Sequence, residues 1–225
     1  MDAQQRKMHG FDYVFDEEIG LVVMGTQGLR GWRRGVLGSV AEAVARRAMC
    51  PVLTVRPLDA PGAGEWPPRR VLLAIDDVSD EGVPTAAQWA ARLAVVYRAP
   101  LDIIHVTSLP VVAVGGLVDP AGDRMRARGA LLRLVERLRS EVRGELSVNI
   151  TVQSGPPVDT IRGAAEDVRA HLLVVGTSGR SGPGRALLGS VAEELVRTAP
   201  CPVLVARDAL AAPVGEAGAA MGGAA

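Results

Sequence analysis

At 225 residues the chain is long enough for one large domain or one and a half ordinary ones, and its 48% apolar content is ample for a core. The 25 basic residues balance 25 acidic ones and aromatics make up only 3%, so neither a nucleic-acid surface nor an anionic membrane partner is expected. No apolar run approaches the roughly 20 residues that span a bilayer, the first residues lack a signal-peptide core, and two cysteines give no disulfide framework, so a cytoplasmic protein is expected.

Residues 1–20 are polar and acidic around Phe11, Tyr13, Val14 and Phe15, with no clear period. A buried strand is expected over Leu21–Met24, then a glycine loop, a helix from Ser39 to about Ala48, and a strand over Pro51–Val55. The Pro- and Gly-rich residues 57–68 read as a linker. A full α/β series follows. Val71–Ile75 is a near-continuous apolar strand, of the kind covered on both faces in parallel sheets. From Thr85, Ala86, Ala90, Leu93, Ala94 and Tyr97 recur at helical spacing. Leu101–Val106 is the next strand and 107–122 a loop. The helix over Asp123–Arg143 turns Leu131, Val135, Leu138 and Val142 inward and keeps seven arginines on a solvated face. Ser147–Val152 is a strand, and Gly155-Pro156-Pro157 opens a helix bearing Val158, Ile161 and Ala165. The Ala/Gly-rich tail 208–225 has no core face and is expected to be disordered.

Leu172–Arg207 repeats Leu21–Arg56: with a shift of 151, the two agree at 20 of 36 positions without a gap. Each unit runs strand, glycine loop, helix, then Cys-Pro (Cys50-Pro51, Cys201-Pro202) and a second strand. The cysteines read as small buried apolar residues. The loops share the pattern Gly-x2-Gly-x9-Gly-Ser, with Gly25, Gly28, Gly38 and Ser39 in one copy and Gly176, Gly179, Gly189 and Ser190 in the other. This is not the dinucleotide-binding Gly-x-Gly-x-x-Gly, and the Walker-like glycine spacing at Gly184 and Gly189 lacks its lysine. Two readings of the loop fit. A strand end, a glycine loop and a helix N-terminus can cradle phosphate. Alternatively Ser39-x-x-Glu42 and Ser190-x-x-Glu193 are capping boxes and the serines only cap helices.

The glycine pattern, the Cys-Pro-Val-Leu strand after it, the Ala74-Ile75-Asp76 turn and the Gly-x-Pro after Gln153-Ser154 together resemble the universal stress protein family, over residues 69–207 as a full domain and 21–56 as a partial one. The resemblance implies a doubly wound five-stranded parallel α/β sheet of order 3-2-1-4-5, dimerisation through an antiparallel last strand, and the ATP-binding branch, with Mg2+. By position, Ala74, Asp76 and Val106 would bind the nucleotide, Asp76 and Val106 at the adenosine. Gly176, Gly179, Gly189, Ser190 and Val191 would surround the phosphates. Arg180 is placed to screen phosphate charge, although an exposed arginine reads equally well.

Two departures carry expectations. Asp77-Val78-Ser79 follows Asp76 where the family more often has one residue between Asp and Ser, which alters the adenine side. The first copy keeps its phosphate loop but not the adenosine strands; about 80 further residues would complete it, so its site should be empty or weak. Its expected role is structural, with 51–55 pairing with 202–206 as an internal pseudo-dimer. The exposed edge at Leu21–Met24 predicts homo-oligomerisation, aggregation, or a start codon upstream of Met1. The expected organisation is therefore a truncated repeat over 1–56, linker 57–68, complete domain 69–207 and tail 208–225. His105 reads as a core histidine, and no nucleophile–base–orienter set is present. The function expected is an ATP-binding stress-response module acting through nucleotide-dependent partner contacts. The alternatives are a slow Mg2+-dependent ATPase or a nucleotide-free dimerisation scaffold.

Overall fold

The computed structural model describes residues 20–25, 38–48, 50–55, 66–76, 78, 82–107, 120–177 and 188–207. The expectations for residues 1–19, for most of the linker and for the tail fall outside them. In chain order the elements are β1 (Val22–Gly25), α1 (Ser39–Arg47), β2 (Val52–Val55), β3 (Val71–Ala74), α2 (Thr85–Tyr97), β4 (Leu101–Thr107), α3 (Pro120–Glu141), β5 (Val148–Ser154), α4 (Pro157–Asp167), β6 (Leu172–Gly176), α5 (Ser190–Thr198) and β7 (Val203–Ala206). Expected and observed bounds differ by at most three residues. The largest shift is α3, which starts at Pro120 because proline's fixed φ and missing N–H suit a helix's first turn.

All seven strands join one sheet, in the order β1-β2-β7-β6-β3-β4-β5. The five strands from β3 to β7 take the order 5-4-3-6-7, parallel throughout. The expected five-stranded sheet is thus corrected to a mixed seven-stranded one. The reason is β7, whose outer edge hydrogen-bonds antiparallel with β2, itself parallel to β1. Central strands β3 and β6 are buried along their length, as their unbroken apolar sequences require, while the outer strands β1 and β5 alternate. Two layers of helix cover the sheet. On one face α2 and α3 pack on Val71, Leu73, Leu101, Ile103 and Leu172. On the other, α1, α4 and α5 pack on Leu72, Ala74, Ile104, Leu173 and Val175.

The β2–β7 pairing follows the repeat. Leu53 lies opposite Leu204, its own counterpart under the 151-residue shift, so a local two-fold passes between them. The buried Thr54 hydroxyl donates to the Val203 carbonyl at 3.0 Å. Arg207, 7% exposed, reaches across the seam and donates through Nη2 to the Ala45 carbonyl at 2.5 Å. That carbonyl belongs to the last turn of α1, where the helix has no partner of its own to offer and its dipole favours a cation. Burial pulls the Arg207 guanidinium below its usual value. Burial likewise pushes the Cys50 thiol up, and Arg207 beside it offsets part of that rise. Outside the seam, Arg46 on α1 bridges Glu42 (3.1 Å) and Glu193 of α5 (2.6 Å).

Candidate functional site at the carboxyl ends of β3, β4 and β6

The chain runs from β3 outward to β4 and β5, then crosses back to β6 on the other side of β3, so the winding reverses between β3 and β6. In open α/β sheets a crevice forms at such a reversal, beyond the carboxyl ends of the strands. The register brings Ala74 of β3 level with Ile104 of β4 and Val175 of β6. Asp76, Val106 and Gly176 therefore stand together at one edge of the sheet. Asp76 is exposed, while Ala74 is buried and Val106 half-buried.

Helix α5 begins over the same edge. Its start is held to the end of β6 by the Gly189 amide, which donates to the Thr177 carbonyl at 2.8 Å. A Cβ built on Gly189 would stand 3.1 Å from that oxygen, tighter than nine in ten real contacts, so a side chain there would push the latch out by a few tenths of an ångström. Gly176 differs. A Cβ there meets nothing within 4 Å and its backbone is not left-handed, so no described neighbour calls for glycine. An open backbone at the strand end is what close approach of a ligand uses.

The capping-box expectation is corrected here. Gly189 is the N-cap of α5, extended at φ −65° and ψ 151°, and no side chain caps the helix. Ser190 is the first helical residue and Glu193 the fourth, one position too far along for a reciprocal box, and the Glu193 amide bonds the Gly189 carbonyl instead. Helix α1 repeats this with Gly38, Ser39 and Glu42. Among the described residues no side-chain cap hydrogen bond is made at the α5 N-terminus, and the exposed Ser190 hydroxyl sits beside the first-turn amides. With half-buried Val191, they give a positive helix end that suits an anion.

The β4 side is tied down as well. His105, 6% exposed, places Nδ1 at 2.9 Å from the Ile75 carbonyl, which fixes the proton on Nδ1 and steadies the turn before Asp76. The Thr107 and Ser154 hydroxyls lie 2.7 Å apart at the ends of β4 and β5, and the Gly155 amide donates to the Thr107 carbonyl at 3.3 Å. The structure thus brings together Ala74, Asp76, Val106, Gly176, Gly189, Ser190 and Val191. Gly179 and Arg180 lie outside the described residues. Sequence reasoning missed the Thr177 latch, whose signal was the Gly-Thr pair present in both repeats (Gly25-Thr26, Gly176-Thr177). Among the described residues no group of three or more His, Cys, Asp or Glu side chains is placed to hold a metal, and no helix is long and apolar enough to cross a membrane.

Residues 11–56 and 68–207 match the universal stress protein family, two segments that together take in most of the chain. The chain belongs to this family. A universal stress protein of Mycobacterium tuberculosis is 34% identical over 198 residues, covering 85% of this chain and 63% of the relative. One from Methanocaldococcus jannaschii is 31% identical over 145 residues, covering 62% of this chain and 82% of the relative. Among solved structures, a universal stress protein from Archaeoglobus fulgidus superposes with TM-score 0.58 at 25% identity, covering 85% of this chain and 63% of that one. This universal stress protein therefore spans about 63% of the length of the mycobacterial relative, and matches in two segments separated at residues 57–67.

Proposed function

We propose that this universal stress protein binds ATP at the crevice between β3 and β6 and serves as a cytoplasmic stress-response module whose partner contacts depend on the bound nucleotide. The observation that carries this reading is the α5 N-terminus, which has no side-chain cap among the described residues, beside a strand end where Gly176 is required by no described neighbour. In this reading Gly176, Gly189, Ser190 and Val191 receive the phosphates through backbone amides and the serine hydroxyl, joined by Gly179 and Arg180 of the same loop. Ala74, Asp76 and Val106 hold the adenosine side. Mg2+ would accompany the phosphates and offset their charge. The chain's own residues position and desolvate the nucleotide. Among the described residues no base is placed to activate water, and this reading makes ligand state rather than turnover the output.

The same reading makes β1–α1–β2 a partial second copy, occupying by β2–β7 pairing the edge through which the family resemblance implies dimerisation. The proposed units are 1–56, linker 57–68 and domain 69–207. The test is mass spectrometry of small molecules released from the purified chain, beside Ser190→Ala and calorimetry with added ATP and Mg2+. About one ATP per chain, reduced in Ser190→Ala, supports the reading. ADP in its place moves the assignment to slow hydrolysis. No nucleotide bound or co-purified refutes it and leaves a structural scaffold.

A further inference from the structure

Helices α1 and α5 meet across the β2–β7 seam, on the sheet face they share. Ala41 and Ala45 of α1 join Ala192 and Val196 of α5 in one core cluster, and under the 151-residue shift these are counterparts in pairs. Arg46, in the last turn of α1, donates through Nη2 to the Glu193 carboxylate at 2.6 Å and through Nε to Glu42 at 3.1 Å. Glu193 stands in the first turn of α5, at the end where Ser190 and the first-turn amides lie. A helical Cα–Cβ bond leans toward the helix N-terminus, so the Glu193 side chain leaves its helix in the direction of Ser190. Without a ligand that carboxylate suits the positive end of α5. A phosphate at the same end would be repelled by it, because the two negative charges would stand about one helical turn (roughly 5 Å) apart.

We propose that Arg46 of the first repeat is a positioning residue for the phosphate site of the second: it holds the Glu193 carboxylate toward α1 and cancels its charge, so the α5 N-terminus stays positive toward an incoming phosphate. The inference rests on the nucleotide reading and adds to that site a residue from the other repeat. Three features select Arg46. Among the described residues it is the cation that pairs with Glu193, from 147 positions away in the chain. Glu42, one turn earlier on α1 and in the order that favours an i,i+4 pair, holds the guanidinium from its other side. The Glu193 side chain is only 23% exposed, so dissolved salt screens it less than an open surface charge. The arginine side of the pair is more exposed, at 36%, and such pairs add little to stability. Its consequence is therefore expected in the charge that the site presents. In this way the first repeat takes part in the site of the second without holding a nucleotide itself.

Calorimetric titration of the full chain with ATP and Mg2+ in low salt tests this. Arg46→Ala should weaken binding by about 3- to 10-fold, the effect of one uncancelled charge at that range in a partly wet setting. Arg46→Lys, which keeps the charge, should stay within about twofold of wild type. Adding Glu193→Gln to Arg46→Ala should restore the affinity, because the charge that Arg46 cancelled is gone while the tie between the helices remains broken. In about 1 M salt the Arg46→Ala loss should shrink. Melting temperatures without nucleotide should change by no more than a few degrees, so that the titrations compare folded chains. An Arg46→Ala affinity within about twofold of wild type overturns the proposal. So does a loss that Glu193→Gln fails to restore, which would make the pair a structural tie between α1 and α5. Either result leaves the nucleotide reading standing. A wild type that binds no ATP refutes that reading, and this inference with it.

Discussion

Replacing Gly176 by alanine separates a ligand requirement from a folding requirement. The added Cβ meets no described atom within 4 Å, and the backbone there is one that L-residues adopt. Gly→Ala under those conditions removes freedom from the unfolded chain and stabilises by about 0.4–1 kcal/mol. For a protein of this size that raises Tm by about 1–4 °C. If a phosphate approaches the Gly176 backbone, the same methyl group occupies that space. Losing one hydrogen bond to a charged group costs about 1.5–3 kcal/mol, which is about 10- to 150-fold in affinity. Thermal melts with and without ATP–Mg2+, together with calorimetric titration, read both quantities on one sample. The expected result is a variant at least as stable as wild type in the absence of nucleotide and markedly weaker for ATP. An affinity within twofold of wild type, in a variant of equal or higher Tm, refutes the placement of the phosphates at the β6 end.

Further outcomes are expected at the β2–β7 seam. Leu204→Ala, at a site 2% exposed on the local two-fold, should cost about 2–5 kcal/mol by urea unfolding, because the packed seam cannot collapse around the void. Arg207→Met should cost about 1–3 kcal/mol by stranding the Ala45 carbonyl. Arg46→Ala, at a pair more than a third exposed on the arginine side, should cost less than about 1 kcal/mol despite its short contact with Glu193. Cys50 carries a pH dependence. Its thiol pKa is raised by burial, so the fold favours the protonated form. The Cys50 contribution is complete below the ordinary thiol range and is lost as pH rises through that range toward the raised folded value. Between about pH 8 and 10 the wild type should therefore lose more stability in urea than Cys50→Ala, and equal losses would contradict the assignment.

Local chemistry alone determined a good deal of this protein. The unbroken apolar runs at Val71 and Leu172 read as strands covered on both faces because no face of them can tolerate water. The alternation of such runs with helical spacing called for the parallel direction of the five strands β3 to β7, while their order was implied by the family resemblance. A gapless 36-residue repeat at a shift of 151, with Gly-x2-Gly-x9-Gly-Ser and the Cys-Pro, Ala-Ile-Asp and Gly-x-Pro motifs, pointed to the family and to the edge of the sheet where a ligand site would lie. Only the tertiary structure decided which glycine serves what. Gly189 is crowded by the Thr177 carbonyl and Gly176 by no described atom, a distinction of distances between segments that a one-dimensional pattern does not carry. Capping depends on φ and ψ at a single residue, so Ser190-x-x-Glu193 matched a capping box in sequence while the chain used Gly189 as its cap. The merger of seven strands into one sheet is likewise a property of packing. It depends on which edge is left after every other element has found its partner, and that is settled only when the whole chain has folded.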